Sequence, residues 1–244
     1  KPAVEVLVCT VRALKLQSGQ FQVRPGKPLP KELTEENLPA ISAGATNLQA
    51  HLDIIRKFGV PCVVAVNRFP EDSVRELELV CRLARQFGAA DAVVSEAFAG
   101  GSEGTVELAK AVVENAQTPS RFQYLYSLDI PLEEKLNTIA TSIYGADGIE
   151  LEPTARVQLA SITQHGFGNL PICIAKTQYS LSHDPKRLGR PAGFRLPIRE
   201  VRLAAGAGYV YAIAGDIRTM PGLPANPAAL KIDLDEAGRI IGLK

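Results

Sequence analysis

The sequence predicts an α/β protein whose mostly parallel sheets are flanked by helices, and three observations carry that prediction. Pro61-Cys-Val-Val-Ala-Val66 is a short, unbroken apolar run of mostly β-branched residues, the pattern of a strand buried on both faces in the middle of a parallel sheet. Such runs alternate along the chain with segments whose apolar residues step by three and four, as a βαβ arrangement requires. The strand-like runs also end abruptly in polar residues, and α/β sheets collect ligands beyond their carboxyl edge. At 244 residues the chain has room for one large or two modest domains with a substantial core.

Taken in order, Val4 to Cys9 reads as a first buried strand. No leading helix covers it, and a parallel strand needs neighbours on both sides, so the chain is expected to continue a longer polypeptide. Thr10-Val-Arg-Ala-Leu-Lys15 then sets polar groups at that strand's carboxyl end, before a loop rich in Gly and Pro from Ser18 to Pro30. Thr34 is the predicted cap of a helix with Leu38, Ile41, Ala45, Leu48, Leu52 and Ile55 on one stripe, closed by Gly59. Pro39 is compatible with that helix only if it begins later than Thr34.

Beyond the Pro61–Val66 strand stand Asn67, Arg68 and Phe69; Pro70 stops extended pairing, and Ser73-x-x-Glu76 fits a reciprocal capping box. The spacing of Phe69 suits a ligand-facing ring and a ring packed under the next helix equally well. That helix, Ser73 to Phe87, turns Leu77, Val80, Cys81 and Ala84 inward. A strand from Asp91 to Ser95 follows, then Phe98 and a glycine-rich turn to Gly104, which either offers N–H groups to an anion or simply connects. A helix runs from Thr105 to Ala116.

Phe122 to Leu128 is a strand candidate, and Pro131 to Tyr144 and Pro153 to His165 are helices. Leu170 to Ala175 is a buried strand ending in Lys176-Thr-Gln-Tyr-Ser180, a dense set of hydrogen-bonding side chains. Ser182 to Gly193 is a polar loop expected to be mobile. Ile198 to Leu203 and Gly208 to Ala214 are strands, Thr219 to Pro224 is a stiff turn between prolines, and Lys231 to Leu243 is a hairpin across Glu236-Ala-Gly238.

A formal charge of +1 and the lack of a basic run interleaved with aromatics argue against nucleic acid as a partner. No apolar run approaches the roughly 18 residues that cross a bilayer. Cys9, Cys62, Cys81 and Cys173 are scattered among apolar neighbours and read as small buried hydrophobes in a reducing compartment; His51, His165 and His183 are isolated, so no metal site is expected. There is no GxxxxGK[ST], the nearest approach being Pro25-Gly-Lys-Pro28, and neither GxSxG nor HExxH occurs. The residues by themselves lead to a ligand crevice lined by Asn67, Arg68, Phe69, Phe98, Lys176 and Gln178.

Val8-Cys-Thr-Val-Arg-Ala-Leu-Lys-Leu-Gln-Ser-Gly19 closely resembles the second signature of the formate–tetrahydrofolate ligases, departing from it at Cys9, Gln17 and Ser18. The runs Lys57 to Asp72, Ile143 to Gly148, Gly168 to Gln178 and Thr219 to Pro224 are similar to the same family in the same order, so the resemblance covers essentially the whole chain. It implies the C-terminal part, somewhat under half, of the family's polypeptide. Residues 1–58 would then be the end of a P-loop-like nucleotide-binding domain, and residues 59–244 a C-terminal α/β domain contributing the folate site.

The activity implied is ATP-dependent joining of formate to tetrahydrofolate through formyl phosphate, giving 10-formyltetrahydrofolate, ADP and phosphate. ATP with Mg²⁺ would be bound mainly by the N-terminal part, so this chain alone is expected to be inactive. By motif, the two aromatic residues that hold the pterin fall on Phe69 and Phe98, the latter often Trp in the family. Val94, Asn67, Arg68, Thr10, Arg12, Lys15, Lys176 and Gln178 are further candidates for ligand contact, and no residue is assigned to catalysis. For Arg12 and Lys15 a salt bridge that organises the domain interface is an equal reading. The family implies a cytoplasmic homo-oligomer acting on small molecules, with neither nucleic acid nor membrane as partner. A folate-binding module without chemistry of its own and another ATP-dependent enzyme of the P-loop-related class, such as an amidoligase, are the alternatives.

Overall fold

The structure is a computed structural model, and it describes residues 1–23, 28–217 and 225–242. The Thr219–Pro224 turn and most of the Pro25–Pro28 run lie outside the described residues.

A first sheet is formed by β1 (Glu5–Cys9), β2 (Cys62–Asn67) and β3 (Asp91–Ser95), all parallel and in that order. β2 lies in the middle, and Val63, Val64 and Val66 are fully buried, as the unbroken apolar run predicts. β1, expected to be buried, is instead an edge strand: Val6 and Val8 are exposed, because β2 pairs on one side of it only. Around this sheet, among the described residues, lie α1 (Val11–Gln17), the single turns α2 (Lys31–Thr34) and α5 (Ala97–Gly100), and the longer helices α3 (Leu38–Lys57), α4 (Val74–Gln86) and α6 (Val106–Ala116).

α1 replaces the polar strand end that the sequence suggests for Thr10 to Lys15. Thr10 caps it by accepting a hydrogen bond from the Ala13 N–H at 3.1 Å, and only Val11, Leu14 and Lys15 turn inward, too short a stripe to stand out beside the preceding strand. Thr34 ends α2 and does not cap α3. Asn37 caps α3, accepting from the Ala40 N–H, and Pro39 falls in its first turn, where no N–H is missed. α1 crosses α3 at Gly44, where a Cβ would stand 1.8 Å from the Leu14 carbonyl oxygen. α4 carries the predicted capping box, with Ser73 and Glu76 bonding each other's backbone N–H.

A second, mixed sheet has the order β4-β6-β7-β5, built from β4 (Ile149–Leu151), β5 (Ile172–Ala175), β6 (Leu196–Ala204) and β7 (Tyr209–Ala214). β4 pairs parallel with β6 and β5 parallel with β7, while β6 and β7 form an antiparallel hairpin. α7 (Leu132–Ser142) and α8 (Pro153–Gln164) pack on it. β4 is only three residues long and left no period to read. The last element is the expected hairpin, β8 (Asp233–Leu234) with β9 (Ile240–Ile241).

Phe122 to Leu128 is not a strand. Arg121 and Gln123 donate their backbone N–H groups to the Gly59 and Phe58 carbonyls at the turn between α3 and β2, and the Tyr126 hydroxyl accepts from the Ile172 N–H, so the segment straps across without entering a ladder. The Ser182–Gly193 loop, expected to be mobile, is anchored: Ser182 is fully buried and its hydroxyl bonds Asp184 and Ser180. Cys9, Cys62 and Cys81 are buried as expected, burial pushing the Cys9 thiol up to about 12 and that of Cys62 to about 11. Cys173 is exposed because β5 is the edge of its sheet and turns alternate residues outward.

Each sheet has its own apolar core, one running from Cys9 to Ala92 and the other from Leu132 to Ala214. The first continues across position 58, with β1 and β2 hydrogen-bonded on either side of it. Side chains tie the halves together: Gln17 bonds the Gly189 N–H and the Tyr179 carbonyl, Asn47 donates to the Gly189 carbonyl, and Arg190 pairs with Asp53 at 2.8 Å. No helix among the described residues is long and apolar enough to cross a membrane.

Candidate functional site: an aromatic cleft at the carboxyl edge of the first sheet

β2 and β3 end together, Asn67 opposite Ser95. The Arg68 N–H extends the pairing by one bond to the Ser95 carbonyl, after which both chains leave the sheet. Phe69 emerges from one and Phe98, in the single turn of α5, from the other. Their ring centroids are 6.4 Å apart with the planes inclined by 33°. The cavity at this point has a volume of about 280 Å³ and is lined by Arg68, Phe69, Pro70, Glu96, Phe98 and Ala99. A flat ring in van der Waals contact with both faces needs roughly 7 Å between them, two carbon–carbon separations of about 3.5 Å. The jaws must therefore part slightly and become parallel to hold one.

The two rings are supported unequally. Phe69 is half-buried, and its backbone N–H donates to Asp72 Oδ2 at 2.8 Å. The Arg12 guanidinium lies 4.5 Å from the Phe69 ring centroid and is tethered by Glu71 at 2.5 Å. Burial raises the Asp72 carboxyl above its ordinary range, although the Phe69 N–H and the Arg12 charge pull the other way. Phe98 is 76% exposed, on a turn whose Gly100 and Gly101 have open space around them. An ion pair between Arg68 and Glu96 bridges the two chain segments at the edge of the cleft.

The remaining candidates fall in three places. Arg12 is behind Phe69, and Arg68 is in the wall of the cleft. Asn67 is the last residue of β2, and Val94 lines an adjoining groove between α4 and α6 that shares Arg68 and Glu96 with the cleft. Thr10 spends its hydroxyl oxygen on the α1 cap. Lys15 is sealed in the interior: its ammonium pairs with Glu76 at 2.7 Å and donates to the Leu33 and Glu35 carbonyls, leaving no free donor for a ligand. Lys176 and Gln178 line a different cavity, which shares no lining residue with the aromatic cleft. The support that Glu71, Asp72 and Glu96 give the cleft was not read from the sequence, where Asp72 stands only as an alternative to Ser73 for capping α4, although each acid lies within three residues of a candidate ring.

Chemically, the cleft offers two π-faces, one cation behind a ring and an ion pair at the edge: means to grip a flat heteroaromatic, with no nucleophile among them. Among the described residues no three His, Cys, Asp or Glu side chains converge as a metal site.

Comparison with known proteins shows the family of the chain. The family model described as formate–tetrahydrofolate ligase matches residues 1–244. Formate–tetrahydrofolate ligases from Roseiflexus sp. (strain RS-1), Herpetosiphon aurantiacus and Cutibacterium acnes are 53%, 51% and 50% identical to this chain, over 99%, 100% and 100% of it. The chain spans 43% of the length of each of these relatives. With the family model matched from end to end and half of the residues identical to those of such relatives, the chain belongs to the formate–tetrahydrofolate ligase family.

Proposed function

We propose that this chain is the folate-binding, C-terminal part of an enzyme that joins formate to tetrahydrofolate at the expense of ATP. The observation that carries the reading is the pair of phenylalanine rings, 6.4 Å apart and open to solvent where two parallel strands end. A pterin is flat and heteroaromatic, and stacking between two rings contributes about 1–3 kcal/mol per ring, on the scale of base–aromatic stacking. The reading gives residues 1–58 to the end of a P-loop-like nucleotide-binding domain and residues 59–244 to a C-terminal α/β domain, with their junction inside the three-stranded sheet.

In the complete reaction, formate takes the terminal phosphoryl group of ATP, the resulting formyl phosphate gives its formyl group to N10 of the folate, and ADP and phosphate leave. Phosphorylation turns a poor leaving oxygen into a good one, provided that water is excluded and the developing charge is neutralised. Mg²⁺–ATP would supply the phosphoryl group from the part of the polypeptide outside this chain. Phe69 and Phe98 hold the pterin, Arg12 and Asp72 hold Phe69, and the Arg68–Glu96 pair fixes the rim. The whole enzyme works as a cytoplasmic homo-oligomer.

The test is Phe98→Ala in the complete enzyme. The KM for tetrahydrofolate is expected to rise about 5- to 150-fold, the equivalent of losing one ring's stacking, while that for ATP holds. Equal rises in both would overturn the assignment. The pure 244-residue chain is expected to bind tetrahydrofolate but not ATP by calorimetry, and to show no turnover with ATP, formate and folate together; measurable turnover would refute it.

A further inference from the structure

The second sheet has an opening of its own. Where β5 ends, a cavity of about 380 Å³ lies between the second sheet and α1 and α3, lined by Gln17, Asn47, His51, Tyr144, Lys176 and Gln178 among others. The Lys176 ammonium donates to the Thr177 and Ser180 carbonyls and lies 5.0 Å over the Tyr144 ring. The two carbonyls take two of its three N–H groups and, like the ring, carry no charge, so the ammonium is not neutralised and has one donor without a hydrogen-bond partner among the described residues. No Asp or Glu among the described residues pairs with it, and burial alone accounts for a pKa pushed down to about 8. His51 faces the same space from α3, its imidazole pushed below the ordinary histidine range by burial and by the nearby Lys176. A cation half-buried in a polar cavity without a counter-charge is costly to the fold, and Met would fill the same stem volume without that cost.

We infer that this cavity is an anion site, built to take a small phosphate-type oxyanion at Lys176 with His51 and Gln178 as further donors. Its place beyond the carboxyl end of β5 repeats, in the second sheet, the relation of the aromatic cleft to the first. The inference does not depend on the folate reading, because no residue lines both cavities. An anion here must favour protonated Lys176, so binding takes up a proton as pH passes the amine's pKa. Affinity then weakens as pH rises beyond about 8, the value to which burial lowers this amine. Tyr144, whose hydroxyl burial pushes up, stays neutral across that range.

The experiment is calorimetric titration of the 244-residue chain with inorganic phosphate, and in parallel with glycerol 3-phosphate, at constant ionic strength set by chloride. Saturable binding is expected, weakened at least tenfold in Lys176→Met, weakened less in Gln178→Ala, partly restored in Lys176→Arg, and unchanged in Phe98→Ala. Tighter binding of the monoester would mark the phosphate as one end of a larger molecule; tighter binding of the free ion would mark it as the ligand itself. Absence of saturable binding, equal heats from chloride, or equal affinity in folded Lys176→Met and Gln178→Ala would overturn the proposal.

Discussion

Phe69 is pinned twice, by a carboxylate on its backbone N–H and by a guanidinium on one ring face, whereas among the described residues Phe98 has the Phe69 ring as its one aromatic neighbour and no cation over its face. A cation on one face of a benzene ring draws electron density from the other, so the free face of Phe69 favours an electron-rich partner such as a reduced pterin. Arg12→Met is expected to weaken tetrahydrofolate binding to this chain about 2- to 30-fold, the worth of one cation–π contact, with Arg12→Lys recovering part of it. Titration calorimetry decides; unchanged affinity in Arg12→Met would make the guanidinium a surface ornament. Both rings could be found in the sequence, because a strand end followed by an aromatic is a local pattern. Lys15 could not, since only folding reveals that its partner is Glu76 on another helix and that both are sealed from water.

Glu76 shows how much one residue can hold among elements. It closes the α4 capping box, accepts from the Asn37 N–H that starts α3, and neutralises Lys15 of α1. Burial raises its carboxyl, but the Lys15 ammonium and the Asn37 and Ser73 N–H groups prevail and hold it below the ordinary value of 4.5. A depressed acid adds stability that is complete above the unfolded-state value and vanishes as pH falls through the folded one, so this node loosens below about pH 4.5. Glu76→Ala, leaving Lys15 buried and unpaired, is expected to cost about 3–5 kcal/mol in urea denaturation at pH 7 and to remove that part of the acid dependence. A loss under about 1 kcal/mol would show that the pair contributes no more than a surface one. The capping box was legible because Ser-x-x-Glu is a local code, and so was the stripe of α3. α1 and the 122–128 strap were not: two turns of helix leave too few periods to count, and the strap's Leu125 and Tyr126 are drawn to the second core without any strand to pair with.

At the scale of the molecule, two sheets with separate cores are joined through polar contacts from α1 and α3 to the 179–190 segment. The alternation of strand and helix foretold the α/β class, whereas the antiparallel pairing of β6 with β7 was not read from the sequence, although the two strands lie close in it. Strand order in the second sheet, with β5 at the edge beside β7, depends on contacts between distant segments and has no local signature. The open side of β1 also has a consequence for handling the molecule. Val6 and Val8 stand exposed on a strand whose outer N–H and C=O groups have no ladder among the described residues, which is the template for lateral addition of another chain. Concentrated solutions of these 244 residues are therefore expected to scatter light through strand-on-strand association, and Val8→Lys to raise the solubility limit while leaving the melting temperature in place.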